Sequence, residues 1–149
     1  MDIFEQAIMH YVTVDRSTLV IPQYEIESGW ASLDFLGVNN KKQTVYMIEV
    51  ASASNTDSLS RKIMEAFQPE KHLEKLKQQL VKDYSGEYGD WKYRVAVFVR
   101  KVNRDRFKES LPLDISERVD VFVLEECVFP WNYWKRVVGP DRSWDRPGT

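Results

Sequence analysis

Cysteine is nearly missing from this sequence: Cys127 stands alone among 149 residues. Neither an intramolecular disulfide nor a cysteine-based zinc site is therefore available. It falls in the apolar run VDVFVLEECVF, which predicts a buried thiol. Long apolar stretches are missing too. No segment approaches the ~20 apolar residues of a membrane span, and MDIFEQAIMHY has neither the basic start nor the apolar core of a signal peptide. The expectation is a cytoplasmic protein without a membrane partner. Internal repeats and low-complexity segments are absent, as are a glycine-rich nucleotide loop, a nucleophile elbow and HExxH. Any chemistry must come from residues brought together by folding.

What is present suits one globular unit. Apolar residues make up 43% and charged residues 30% of the chain, with five Trp, seven Tyr and seven Phe, the balance of a folded protein. A chain of this length buries roughly two thirds of its unfolded surface. One domain over residues 1–139 is expected, followed by a polar tail, 140–149. The net charge of −2 excludes an all-over basic surface, yet charge is distributed unevenly. Residues 1–34 carry Asp2, Glu5, Asp15, Glu25, Glu27 and Asp34 against Arg16 alone, whereas in 91–108 Lys92, Arg94, Arg100, Lys101, Arg104, Arg106 and Lys108 face only Asp105. That asymmetry suits a cation held at one place and a polyanion at another, with Arg100, Lys101, Arg104 and Arg106 as candidates for a nucleic-acid backbone. A solvated basic loop is the alternative.

Periodicity supplies the elements. Ile3, Phe4, Ala7, Ile8 and Tyr11 recur at helical spacing and predict a first helix over 2–12. Residues 23–38 read as extended, in two strands with a bend at Ser28-Gly29, followed by a turn at Asn39-Asn40-Lys41-Lys42 and a strand over 44–50. Asp57 is a candidate N-cap for a helix with Leu59, Ile63, Ala66 and Phe67 on one face. Pro69 should end it and open a second helix reaching Lys82, striped by Leu73, Leu76, Leu80 and Val81. Strands at 93–99 and 119–124, joined by a short helix over 104–111, predict a right-handed βαβ unit with parallel pairing. The sum is an α/β domain with a mixed central sheet flanked by helices, in the order α-β-β-β-α-β-α-β.

The hairpin carries the chemistry. With the turn centred on Lys41-Lys42, Val38 opposes Val45, Leu36 opposes Met47 and Asp34 opposes Glu49. Opposed residues share a sheet face with Cβ atoms about 5 Å apart, so two carboxylates meet inside apolar strands. Like charges in that position destabilise, and burial of each adds several kcal/mol more. A divalent cation would relieve both, Mg²⁺ being commonly held by one or two carboxylates with waters and phosphates. A protonated acid, an arginine partner or a solvent-exposed strand end would relieve them as well.

Residues 25–54, EIESGWASLDFLGVNNKKQTVYMIEVASAS, resemble the strand-Asp-hairpin-Glu-x-Lys core of the PD-(D/E)xK nuclease superfamily, whose members include restriction endonucleases. A helix before this core, a longer helix after it and a βαβ continuation extend the resemblance over residues 2–125. It implies a restriction-endonuclease-like fold, a Mg²⁺ or Mn²⁺ cofactor, and metal ligation by Asp34, Glu49 and the Val50 carbonyl. Two positions depart from the pattern. Ala51 stands where the lysine belongs, and Leu33 where a proline precedes the Asp. Since that lysine polarises the attacking water, its loss implies a dead site or a migrated lysine. Lys62 is the candidate replacement, because a long stem at the border of the following helix can reach back along the surface; a solvated lysine is the alternative.

Glu5 matches a metal-associated glutamate of resolvase-like members, although it points off the apolar stripe toward solvent. His10 lies near the stripe's edge and reads as structural. His72, in a Lys- and Glu-rich stretch, is expected to be exposed. The cluster Phe129-Pro130-Trp131-Asn132-Tyr133-Trp134-Lys135-Arg136 suits a core cap, a homodimer or partner-protein contact, or base stacking. Three functions follow: a metal-dependent nuclease with Asp34, Glu49 and Lys62 as catalytic groups, an inert nuclease-fold module that binds nucleic acid or a protein, and an unrelated α/β interaction domain.

Overall fold

The structure, a computed structural model, describes residues 3–13, 17–27, 31–52 and 56–128. The bend at 28–29, the aromatic cluster at 129–136 and the tail at 140–149 lie outside the described residues. In chain order the elements are α1 (Ile3–Thr13), β1 (Thr18–Pro22), β2 (Glu25–Ile26), β3 (Ala31–Ser32), β4 (Phe35–Asn39), β5 (Thr44–Ala51), α2 (Asp57–Ala66) and α3 (His72–Asp83). There follow β6 (Lys92–Val99), a 3₁₀ turn (Lys101–Asn103), α4 (Arg104–Glu109), α5 (Leu113–Ser116), β7 (Val119–Val123) and α6 (Leu124–Val128).

Five strands form a mixed sheet in the order β1-β4-β5-β6-β7. The pairs β1–β4 and β4–β5 are antiparallel, while β5–β6 and β6–β7 are parallel. The helices that join the two parallel pairs, β5–β6 and β6–β7, pack into one core cluster on one face, the arrangement right-handed crossovers produce. There α2 buries Leu59, Ile63 and Ala66, α3 buries Leu73, Leu76 and Leu80, and α4 contributes Phe107, all against Leu36, Met47, Val95 and Val97. The opposite face takes α1 and α6, whose Ile8, Tyr11, Val12, Leu124 and Cys127 cover Phe35, Ile48, Phe98 and Phe122. Cys127 is buried as expected. None of the described helices is long and apolar enough to cross a membrane.

The α/β class, the mixed sheet, the antiparallel hairpin and the parallel βαβ unit agree with expectation; the element order is richer. An edge strand, β1, precedes the hairpin. Of the two expected strands in 23–38, the one before the bend shrinks to β2 and the one after it divides into β3 and β4, with β2 and β3 pairing with each other. Thr56, not Asp57, occupies the N-cap of α2, and Asp57 lies in the first turn, where its charge complements the helix dipole. Pro69 sits in the turn between helices: Glu70 takes a left-handed φ of 60°, which delays α3 until His72. Helix 104–111 closes at Glu109, with a separate turn of helix, α5, beyond it.

Asn39 locks the turn that sets the hairpin register. Its side chain is 1% exposed, donates through Nδ2 to Thr18 Oγ1 at 3.2 Å and accepts the Lys42 N–H at 2.9 Å. Asn39→Ala removes two side-chain hydrogen bonds from a buried turn, so urea denaturation should show a loss of about 1–3 kcal/mol. A loss below about 0.5 kcal/mol would show that the turn needs no such lock.

Candidate metal centre

The expected register is present: Leu36 pairs with Met47, Val38 with Val45 and Phe35 with Ile48. One step further, the backbone of β4 peels away from β5. The Leu33 N–H donates to Tyr24 O at 2.8 Å and the Gln23 N–H to Asp34 O at 2.7 Å, tying this segment to residues 23–24. The Val50 N–H is thereby left without a ladder partner, and the Asp34 carboxylate accepts it, Oδ2 lying 2.8 Å away. Asp34 thus ends the strand pair with a side chain instead of a carbonyl.

Glu49 follows the alternation of β5 onto the face of Val45 and Met47, under α2, and is only 4% exposed. Burial, and next the Asp34 charge, push its carboxyl from the ordinary value of 4.5 up to about 8, with Lys62 opposing the rise. The two acids are close enough to repel when both are charged and to share a proton when Glu49 is neutral.

Lys62 comes to this pair. Its Nζ lies 2.8 Å from Glu49 Oε1, and its side chain is 35% exposed against 5% for the glutamate. Leu59, Ile63 and Ala66 hold α2 on the sheet, which leaves Lys62 at the border of the buried face. Helical side chains lean toward the helix N-terminus, and α2 is the next element in the chain after β5. The lysine is thus carried back over the acid, above the face that also bears Ala51. The approach is close in distance but is not aligned as a hydrogen bond, so the fully enclosed Oε1 has no well-directed donor.

That under-satisfied oxygen, beside a second carboxylate, is what a hard divalent cation would bind. Asp34 and Glu49 fit the mode in which one or two carboxylates hold Mg²⁺ and waters complete its shell. Among the described residues no third His, Cys, Asp or Glu completes such a group. Glu5 is half-buried instead of solvent-facing, on α1, which packs against the opposite face of the sheet. His10 is exposed.

His72 was missed as a neighbour of this site. It is 8% exposed, contrary to the solvated position its sequence context predicts. Burial and then the Lys62 charge lower its pKa. Starting α3 at His72 instead of near Pro69 turns the imidazole inward, and no sequence signal marks the left-handed Glu70 responsible.

The basic segment leaves β6 at the same end of the sheet, since Ala51 pairs with Val99 in the parallel ladder. Folding adds Glu125 and Asp57 to the segment's own Asp105 as partners. Arg100 meets Glu125 at 3.4 Å, Arg104 meets Asp105 at 3.2 Å and Arg106 meets Asp57 at 3.5 Å. The Lys101 N–H donates to Glu125 Oε1 at 2.9 Å, and its side chain is exposed. Further down the strand, Arg94 holds Asp120 at 2.9 Å. The single contacts of Arg100, Arg104 and Arg106 are weak and open to exchange with a phosphate, whereas Arg94 grips Asp120 through two bonds, at 3.0 and 2.9 Å. No protein-family model matches the chain, and no curated protein matches it either.

Proposed function

We propose that this chain is a metal-dependent nuclease that hydrolyses phosphodiesters of DNA or RNA on a restriction-endonuclease-like scaffold. The observation that carries the reading is the approach of Lys62, from the helix after the hairpin, to a buried Glu49 that already faces Asp34. Asp34, Glu49 and the Val50 carbonyl would hold Mg²⁺ or Mn²⁺, which supplies an activated water and charge neutralisation when bound. Lys62 places an ammonium beside the acids, where it offsets charge developing on a phosphate. Arg100, Lys101, Arg104 and Arg106 leave the sheet at the end where the acids lie, in position to exchange surface partners for a phosphate backbone. The C-terminal ends of parallel strands are also where open α/β sheets commonly bind ligands.

The test is incubation of supercoiled plasmid and of single-stranded RNA with Mg²⁺ or Mn²⁺. At least one substrate should be cut with metal and spared with chelator, and Glu49→Ala should abolish the cut. Intact substrates under every metal condition would overturn the reading. A second reading, an inert nuclease-fold module that binds nucleic acid or a partner protein, draws on the same contact: the Lys62 ammonium already stands beside Glu49, where a metal cation would. It predicts no metal-dependent change in melting temperature.

A further inference from the structure

At the far end of the same sheet face, the C-terminus of α2, the helix α3 and the start of β6 border an open cavity of about 360 Å³. The parallel ladder matches Glu49 to Val97 and Val45 to Tyr93. The cavity therefore lies roughly 13 Å along the strands from the acid pair, at about 3.3 Å per residue. Phe67, Trp91 and Tyr93 line it together with Lys77, Arg118 and Glu74.

These groups form an ordered wall. The Arg118 guanidinium lies 4.6 Å from the Phe67 ring centroid, and its Nη2 donates to Tyr93 O at 3.3 Å. Lys77 Nζ stands 5.7 Å from the Tyr93 ring, whose hydroxyl donates to Tyr88 O at 3.0 Å. Tyr88 in turn packs edge-on against Trp91, with centroids 4.7 Å apart. Glu74 Oε2 accepts the Glu70 N–H at 2.9 Å. Among the described residues neither Lys77 nor Arg118 has a carboxylate within ion-pair distance. Among the described residues, two cations outside ion-pair distance of any carboxylate thus rest on rings at a cavity that Glu74 and part of the Trp91 indole also line.

We propose that this cavity is a nucleotide-binding site, taking a planar heterocycle against Trp91 and the Arg118–Phe67 stack and its phosphate at Lys77 and Arg118. Its volume falls in the range of small-molecule sites. Bases stack on aromatic rings and on guanidinium planes, and arginine and lysine are the usual phosphate donors. Either a free nucleotide or one nucleotide of a strand offers this chemistry. The site is independent of cleavage, because none of its residues belongs to the acid pair.

The test is calorimetry and ¹H–¹⁵N NMR on the full chain in chelator, so that hydrolysis plays no part. The probes are adenosine monophosphate, adenosine, inorganic phosphate and single-stranded oligoadenylate. Adenosine monophosphate should bind with a Kd of roughly 0.1–1 mM, shifting the Trp91 indole and Arg118 signals. Adenosine and phosphate should each bind at least ~10-fold more weakly, because each keeps half of the contacts. Lys77→Gln and Arg118→Gln should each weaken binding about 5–10-fold, the exposed Lys77 change leaving the melting temperature unaltered. Tighter binding of the oligonucleotide than of the monophosphate assigns the site to a strand, and equal binding assigns it to free nucleotide. No binding of either nucleotide probe, shifts confined to other residues, or undiminished affinity in both variants would overturn the proposal. A chain that binds these probes but cuts nothing would leave this site standing and remove the nuclease reading.

Discussion

Replacing Lys62 by methionine is expected to slow metal-dependent cleavage about 10²–10³-fold without weakening Mn²⁺ binding. The two effects separate because Lys62 is not a ligand. Its ammonium lies 2.8 Å from Glu49 Oε1, where it competes with a cation for that oxygen but complements charge that appears on phosphate. In the proposed nuclease, removing it would take away stabilisation of the transition state and leave both carboxylates in place. Single-turnover cleavage and Mn²⁺ titration of the same preparation read the two quantities apart. A variant that cuts at the wild-type rate would remove Lys62 from the mechanism. Equal losses of cutting and of metal affinity would make its part structural.

Glu49→Gln should stabilise the metal-free protein above pH 8. The folded-state carboxyl titrates near 8 and the free side chain near 4.5, so between those values the native state holds a proton that the unfolded chain has released. Stability contributed by the neutral carboxyl is complete below the unfolded value and is lost as pH rises through the folded one. The full swing is on the order of 5 kcal/mol. Glutamine, which carries no charge to bury, escapes it. His72 has the opposite sign: its pKa is lowered, so it favours folding at higher pH and loses that contribution as pH falls. Subtracting variant from wild type in urea denaturation at pH 5 and pH 9 removes the histidine and isolates the glutamate. A difference between the two proteins that does not change with pH would show that Glu49 is not held neutral.

Much of this site was legible in the chain because the hairpin is governed by local rules. Two continuous apolar runs joined by the Asn-Asn-Lys-Lys turn set a register that brings residues 34 and 49 together. The capping of Val50 by Asp34 was not legible, since it depends on β4 turning aside to bond with residues 23–24. Position 62 could be read only as a helix border. The lean of helical side chains and the packing of α2 on the sheet through Leu59, Ile63 and Ala66 decide that the lysine folds over the acid instead of into water. β1 escaped notice because Leu19 and Ile21 are 61% and 43% exposed, so Thr18–Pro22 has no clean in-out pattern. Charge asymmetry misled in another way. The acids that meet Arg94, Arg100 and Arg106 are Asp120, Glu125 and Asp57, all remote in sequence and invisible to a local count.

Titrating Mn²⁺ into the chain by calorimetry at pH 7 and pH 9 tests the cation site most directly. The account predicts a single site, about tenfold tighter at the higher pH because Glu49 must release its proton to bind, and lost in both Asp34→Asn and Glu49→Gln. No binding heat at either pH, or binding that survives both substitutions, would contradict it.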